Sequence, residues 1–357
     1  MRGGLHRYSH WLRVSDNPLV QLRLFPLKAL AMSDTPTPTA RASGLPTVGV
    51  IYNPRSHRNK GQDLASDPAP HVFVAQPGAR DQLPVALERF KQRGIDLLVI
   101  NGGDGTVRDA LTAGHAIFGE DWPAVAVLPK GKTNALTVDL DAPSEWSLQG
   151  AIDAFRDGRR IPRRPLSITP IAGEAPPMLG FILGAGAFTL GISKGQDAHR
   201  LGAFNSLAVG VTTVWGVLTA LMGRADNPWR RGSKMDIRVG EAGEPFPRSQ
   251  IGDSAYRQLL LASTLERFPA GIMPFGKLTQ GLKIAVIDHA TRSILLRLPL
   301  ILRGKLPEEM EAKGMHQRAV ESFTLNIDDS FILDGEAYPG GKYGIAPGPE
   351  IEFVAPK

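Results

Sequence analysis

Apolar residues along this chain follow one arrangement before residue 160 and another after it. Val48 to Tyr52, His71 to Ala75, Leu97 to Ile100 and Val125 to Leu128 are short β-prone runs. Leu97 to Ile100 has no polar alternation, the pattern of a strand buried on both faces of a parallel sheet. Leu83, Ala86, Leu87 and Phe90 recur at helical spacing, and Gly94 ends that helix. Val107 to Leu111 starts a second helix, and residues 146–157 read as a third. Strand and helix thus alternate over residues 47–160, which predicts an α/β domain built on a parallel sheet.

After residue 160 helices become scarce. Arg163 to Thr169, Leu179 to Leu183, Lys234 to Val239, Gln258 to Thr264, Leu282 to Ile287, Phe323 to Ile327 and Phe331 to Leu333 all read as strands. They predict a second, mostly antiparallel, sandwich-like β domain over residues 161–357. Its last strand is a candidate to return to the first domain. Leu201 to Gly223 is uncharged for 23 residues between Arg200 and Arg224. That is long enough to span a bilayer, but its threonines, glycines, Asn205 and Ser206 favour a buried helix lining a cleft. Thr291 to Lys305 mixes leucine and isoleucine with Arg292, Arg297, Arg303 and Lys305. That mixture suits either a membrane interface or an ordinary surface segment, with Pro299 expected to interrupt any helix.

Composition narrows the classes. At 42% hydrophobic and 21% charged, the 357 residues suit a globular protein of two domains. The absence of cysteine removes disulfides, thiolate metal sites and cysteine nucleophiles. Of the net charge of +6, residues 1–48 carry +4, so the high pI gives no support to nucleic-acid binding. Residues 1–46 read as a disordered or mis-annotated extension. Met32 opens a polar, proline-rich stretch and is a candidate start, and the basic segment before it reads as an artefact or a weak membrane-surface anchor.

Ligands of parallel α/β sheets bind beyond the carboxyl ends of the strands. Three polar loops stand at such ends: Asn53-Pro54 with the basic residues after it, Asn101 to Thr106, and Pro129 to Asn134. The second, G-G-D-G-T, lies between a strand and a helix N-terminus. Glycines there let a phosphate approach the backbone, and the first N–H groups of the helix point at it. Asp104 is repelled by phosphate unless Mg²⁺ or a hydroxyl donor sits between them. Near the C-terminus, Asp334-Gly335-Glu336 follows an apolar run. Asp-Gly is a hairpin signal, whereas a chemical role needs these carboxylates near the phosphate loop.

G-G-D-G-T resembles the nucleotide motif shared by diacylglycerol, sphingosine, ceramide and NAD kinases. N-P at 53–54, G-G-D-G-T at 102–106, G-K-T-N-A at 131–135 and D-G-E at 334–336 occur in that order. The set resembles the diacylglycerol kinase catalytic family over roughly residues 47–357. The resemblance implies an ATP-dependent, Mg²⁺-assisted lipid kinase at the cytoplasmic membrane surface, acting in phospholipid metabolism on diacylglycerol or a related lipid alcohol. It implies nucleotide contacts from Asn53, Gly102, Gly103, Asp104, Gly105, Thr106, Lys132, Thr133 and Asn134. It further implies Glu336 as general base, a positioning role for Asp104, and Asp334 either as a metal partner or as a residue supporting the groups that bind there.

The chain departs from that pattern at two positions. Bacterial relatives usually read G-T-x-N-D, whereas Lys132 and Ala135 stand here, and Asn-Ala is frequent in sphingosine and ceramide kinases. Lys132 brings a positive charge that threonine lacks. A sphingoid or ceramide kinase, a soluble NAD-kinase-like enzyme and a non-catalytic lipid-binding relative stay open as alternatives. Gln76 sits near where relatives often carry a nucleotide-contacting threonine.

Overall fold

Val48–Tyr52 is buried at every residue, so this strand must be covered on both faces. It is β1 of a computed structural model that describes residues 45–59, 69–187, 189, 232–289 and 291–357. The N-terminal extension and the uncharged stretch 201–223 lie outside the described residues. β2 (Val72–Ala75), α1 (Leu83–Gln92), β3 (Leu97–Gly102), α2 (Asp104–Phe118) and β4 (Ala124–Pro129) continue the alternation. α3 (Ala135–Asp139), α4 (Leu148–Asp157) and β5 (Arg159–Arg163) follow. β1 to β4 are mutually parallel in the order β2-β1-β3-β4. Register aligns their carboxyl ends: Tyr52 faces Asn101, and Asn101 faces Leu128. The three loops that leave these strands therefore emerge side by side.

The second half contains β6 (Leu166–Pro170), β7 (Met178–Gly180), β8 (Ile182–Gly186), β9 (Ser233–Val239), β10 (Glu244–Pro245), β11 (Tyr256–Arg257), β12 (Leu259–Ser263) and β13 (Leu282–Ile287). After α5 (Arg292–Ile301) come β14 (Met315–Val320), β15 (Phe323–Ile327), β16 (Phe331–Leu333), β17 (Glu336–Tyr338), β18 (Gly341–Pro347) and β19 (Ile351–Ala355). Two antiparallel sheets result, one in the order β10-β9-β15-β18-β6-β7 and the other β14-β13-β12-β8-β16-β17. Leu166, Ile237, Leu325 and Ile345 of the first pack against Leu183, Leu260, Ile284 and Phe331 of the second, as in a sandwich. The fold is a parallel α/β sheet with helices joined to antiparallel sheets. β19 lies in the parallel sheet, parallel to β4 and antiparallel to β5.

Three local readings of the sequence need correction. Arg163 to Thr169 is not one strand: β5 ends at Arg163 and β6 starts at Leu166, in different sheets. Pro165 lacks an N–H and restricts Arg164 before it, which breaks the ladder. Leu179 to Leu183 is likewise divided between β7 and β8, which belong to different sheets, with Phe181 at the step. Pro299 does not interrupt its helix, since α5 runs through it to Ile301. A proline this near the helix end deletes a single hydrogen bond, and the Leu302 N–H still reaches the Leu298 carbonyl.

One buried cluster joins the halves. Leu98, Val107, Leu111 and Ala135 of the α/β part meet Leu179, Phe181, Leu265 and Phe275 of the β part. Thr112 on α2 both accepts from the Leu179 N–H (2.9 Å) and donates to its carbonyl (3.2 Å). The middle of α2 is thereby held against β7. Among the described residues no helix is long and apolar enough to cross a membrane.

Candidate active site

The two glycine loops touch through their backbones. Gly103 is extended (φ −96°, ψ −177°) and precedes α2. A Cβ built on Gly131 would lie 2.7 Å from the Gly103 Cα and 2.9 Å from Asn134 Oδ1. Real Cβ atoms do not come so close, so only glycine fits at this crossing. Asn134 is left-handed (φ 53°) and closes its own loop. Its Oδ1 accepts from the Gly131 N–H at 2.7 Å, and its Nδ2 donates to the Gly131 carbonyl at 3.0 Å. Lys132 and Thr133 are left exposed at the tip.

Side-chain amides tie in the loop after β1. Asn53 Nδ2 donates to Thr106 Oγ1 at 2.8 Å. Asn59 is buried and donates to the Asn53 carbonyl (2.9 Å) and to Asn101 Oδ1 (2.8 Å). Buried amides satisfied in this way fix the loop geometry. The sequence pattern placed both regions in polar loops but gave neither Asn59 nor Asn101 a partner.

Four carboxylates gather beside these loops. Asp104 Oδ1 accepts the Ala135 N–H at 2.8 Å and so caps α3. Burial raises its pKa above the usual carboxylate range, against the opposing pull of the Ala135, Asn134 and Leu136 N–H groups. Asp334 accepts from the Phe181 and Ile182 N–H groups at 2.9 Å each, which fixes the step between β7 and β8. Burial, then the neighbouring Asp104 charge, pushes Asp334 up to about 7. Asp334 (φ 44°) and Gly335 (φ 83°) form the two-residue turn of a hairpin in which Leu333 pairs with Glu336. The hairpin reading and the proximity needed for chemistry therefore hold together.

Glu336 meets two arginines. Its Oε2 is 3.1 Å from Arg80 and 3.8 Å from Arg108. Arg80 also contacts Asp109 at 2.8 Å, and Arg108 reaches Asp109 at 2.7 Å. Arg108 is almost wholly buried and donates to the Leu333 carbonyl at 3.1 Å. Sequence reasoning missed Arg80, Arg108 and Asp109. Arg108 stands one helical turn beyond Asp104, at the edge of a face carrying Val107, Ala110 and Leu111, and a charge there was a usable signal. Arg80 lies in a short turn with no such signal.

The cleft enclosed by these groups has a volume of about 570 Å³. Asn53, Gly103 to Thr106, Lys132, Thr133, Asp334 and Glu336 all line it. Gly102 and Asn134 do not, and shape the loops from behind. A recess of about 330 Å³ opens beside it, lined by Ile51, Gln76 and Leu83 and sharing Asn53, Arg80 and Thr106 with the main cleft. The arrangement pairs backbone N–H groups suited to anions with carboxylates suited to handling protons. Among the described residues no cluster of three or more acidic, histidine or cysteine side chains could hold a metal unaided.

Comparison with known proteins bears on this geometry. Residues 47–166 match the family model of the diacylglycerol kinase catalytic domain. No curated protein matches the chain. A solved structure of a diacylglycerol kinase from Bacillus anthracis str. Sterne superimposes with a TM-score of 0.56 at 14% identity, over 87% of this chain and 97% of that one. A second structure from the same organism gives a TM-score of 0.58 at 15% identity with the same coverage. At such identity the superposition speaks for the fold, and the matched domain for the likeness of residues 47–166. Residues 47–166 are thus similar to the diacylglycerol kinase catalytic domain, and the fold of the chain around them is that of these solved structures.

Proposed function

We propose that the protein transfers the γ-phosphate of ATP to the hydroxyl of diacylglycerol or a related lipid alcohol. The observation that carries this reading is the common cleft, in which two glycine loops and Glu336 converge from positions more than 200 residues apart. Phosphoryl transfer depends on positioning and charge neutralisation more than on covalent chemistry. Backbone N–H groups at Gly103 to Gly105, together with the side chains of Thr106, Asn53, Lys132 and Thr133, would cradle the phosphates. The recess with Ile51, Leu83 and Gln76 has the apolar wall and polar edge that an adenine needs.

Glu336 is the base in this reading. An alcohol is a weak nucleophile, and a carboxylate within hydrogen-bond reach takes its proton as the new P–O bond forms. Arg80 now holds Glu336, and turning toward the nucleotide phosphates would release it. Mg²⁺ fits the donor set here: Asp104 and Asp334 are neighbouring acids, each raising the cost of the other's charge, and a divalent cation offsets that cost. Asp104 and Asp334 would hold it together with phosphate oxygens, and its chemistry is charge neutralisation on the transferring group. Residues 47–160 with β19 would bind nucleotide, and residues 161–357 the lipid, at the inner surface of the cytoplasmic membrane.

A sphingoid or ceramide acceptor is the second reading, favoured by the Asn134-Ala135 pair. The test is γ-labelled ATP offered with diacylglycerol, ceramide, sphingosine and NAD in parallel. Label in diacylglycerol or a close lipid alcohol supports the proposal. Label in ceramide or sphingosine moves it to the second reading, and label in NAD alone overturns both.

A further inference from the structure

The edge of the β14 sheet carries a surface that phosphoryl transfer does not use. α5 connects β13 to β14 and opens with Thr291, whose hydroxyl accepts the Ile294 N–H at 3.3 Å. Ile294 and Ile301 face inward onto Ile287, Met310 and Met315. The other side leaves Leu296 74% exposed, with Leu300 one turn further on also exposed. The Met273 N–H donates to the Leu302 carbonyl at 2.7 Å, which seats the Ile272-Met273 loop against the helix end. Both of those side chains are exposed as well. The turn at Pro269–Gly271 that precedes them packs on α3, where Val138 is exposed, directly after the Gly131 to Asn134 loop. A single exposed leucine needs no explanation, but apolar tips on adjoining elements do.

Charge selects what covers this surface. Residues 267–307 contain seven lysines and arginines, of which Lys283 is buried and Arg267 pairs with Asp141, and one acid, Asp288. That acid is buried, paired with Arg257 and His316. Arg292, Arg303 and Lys305 are exposed and form no ion pair among the described residues. Arg297 is held by Glu309 at 3.3 Å. A second copy of the chain docked face to face would bring like charges together. An anionic lipid surface offers both an apolar interior for the leucines and the opposite charge for the rim.

We propose that α5 and the Ile272-Met273 loop dock the protein on an anionic bilayer, with Leu296 and Leu300 inserted and Arg292, Arg303 and Lys305 at the headgroups. The purpose of the docking rests on the lipid-kinase reading, since an acceptor dissolved in a bilayer must be reached there. The docking itself can be tested without ATP. The full chain is sedimented with vesicles of phosphatidylcholine alone and of phosphatidylcholine with phosphatidylglycerol. The variants are Leu296→Ser with Leu300→Ser, and Arg292→Glu with Arg303→Glu and Lys305→Glu, neither of which touches the cleft.

Wild type is expected to bind the anionic vesicles and to be released by salt. The leucine variant should bind about tenfold less or weaker still, the worth of two inserted aliphatic side chains. The charge variant should lose its preference for phosphatidylglycerol. Phosphorylation of a short-chain, water-soluble diacylglycerol should be the same in all three. Equal vesicle binding by wild type and both variants overturns the proposal. So does wild type that ignores vesicles but self-associates through these residues on ultracentrifugation. If docking behaves as expected while no short-chain lipid is phosphorylated, the docking stands and the reading of the acceptor fails.

Discussion

The Asp104 carboxylate accepts the backbone N–H of Ala135 at 2.8 Å, so the acid of the first glycine loop caps the helix that leaves the second. The contact uses the main chain of residue 135 and not its side chain, and the negative charge comes from Asp104. The Ala135 side chain is buried in the cluster between the two halves of the molecule, where a carboxylate would be costly.

Asp104→Asn separates capping from charge. The asparagine Oδ1 still accepts from Ala135, so the melting temperature should stay within about 2 °C of wild type, as for a retained cap. Phosphoryl transfer should fall about a hundredfold or more, as for loss of an electrostatic group at a transition state. Asp104→Ala should lose activity and also about 1 kcal/mol of stability. Calorimetry and a rate assay on both variants check this, and an equal fall in stability for Asn and Ala would make Asp104 a structural residue.

Gly131→Ala drives a methyl group into the Gly103 backbone. The loops must separate, at a cost of about 1–3 kcal/mol if the strain is shared with neighbouring residues. Nucleotide affinity should drop more than tenfold, because the phosphate-facing N–H groups lose their alignment. Titration calorimetry with ATP reads the effect directly.

Asp334 gives the protein a pH dependence of defined sign. Its carboxyl ionises near 3.8 in an unfolded chain but at about 7 in the folded one. Between these values the folded state binds more protons, so the contribution to stability is fully present below about pH 4, shrinks as pH rises toward 7 and is gone above it. Burial raises Asp104 too, which adds in the same direction. The melting temperature of wild type should therefore fall relative to that of Asp334→Asn as pH rises from about 5 to 8. Asparagine tolerates the left-handed backbone at this position but offers one acceptor oxygen to two N–H groups, a loss independent of pH, so the change with pH and not the absolute melting temperature carries the comparison. Parallel melting curves across that range would contradict the burial of an ionisable carboxyl at this turn.

Arg80 joins the nucleotide recess to Glu336, and its removal should be felt as binding. Arg80→Ala should raise the KM for ATP about tenfold with a smaller change in kcat, as for a group that contacts bound nucleotide. Steady-state kinetics over a range of ATP concentrations separates the two. A change confined to kcat would assign Arg80 to holding Glu336 alone.

The parts of the fold legible in the sequence were those where burial leaves a one-dimensional trace. β3 is apolar from Leu97 to Ile100 because both faces of its sheet are covered, and α1 repeats Leu83, Leu87 and Phe90 because one face is. The step at Phe181 left no such trace. Leu179 to Leu183 is uniformly strand-like, and what divides it is Asp334, more than 150 residues away, gripping two N–H groups. β14 and β18 went unread because charged residues and, in β18, glycine and proline interrupt them, and tertiary pairing supplies the missing preference. In the cleft, glycine loops and acids were visible as motifs, since a close backbone crossing and a helix cap need particular residue types. The ion pairs of Arg80, Arg108 and Asp109 depend on how α2 and the turn before α1 are packed, which no spacing encodes.

The central claim is transfer of phosphate from ATP to a lipid hydroxyl with Glu336 as base. The most direct measurement is the initial rate at which γ-labelled ATP phosphorylates diacylglycerol in mixed micelles, for wild type and Glu336→Gln side by side. Wild type is expected to place label in the lipid phase. The variant should do so about 10²–10⁴-fold more slowly, the usual worth of a general base, with an unchanged melting temperature. A Glu336→Gln variant that phosphorylates the lipid at nearly the wild-type rate would contradict the account.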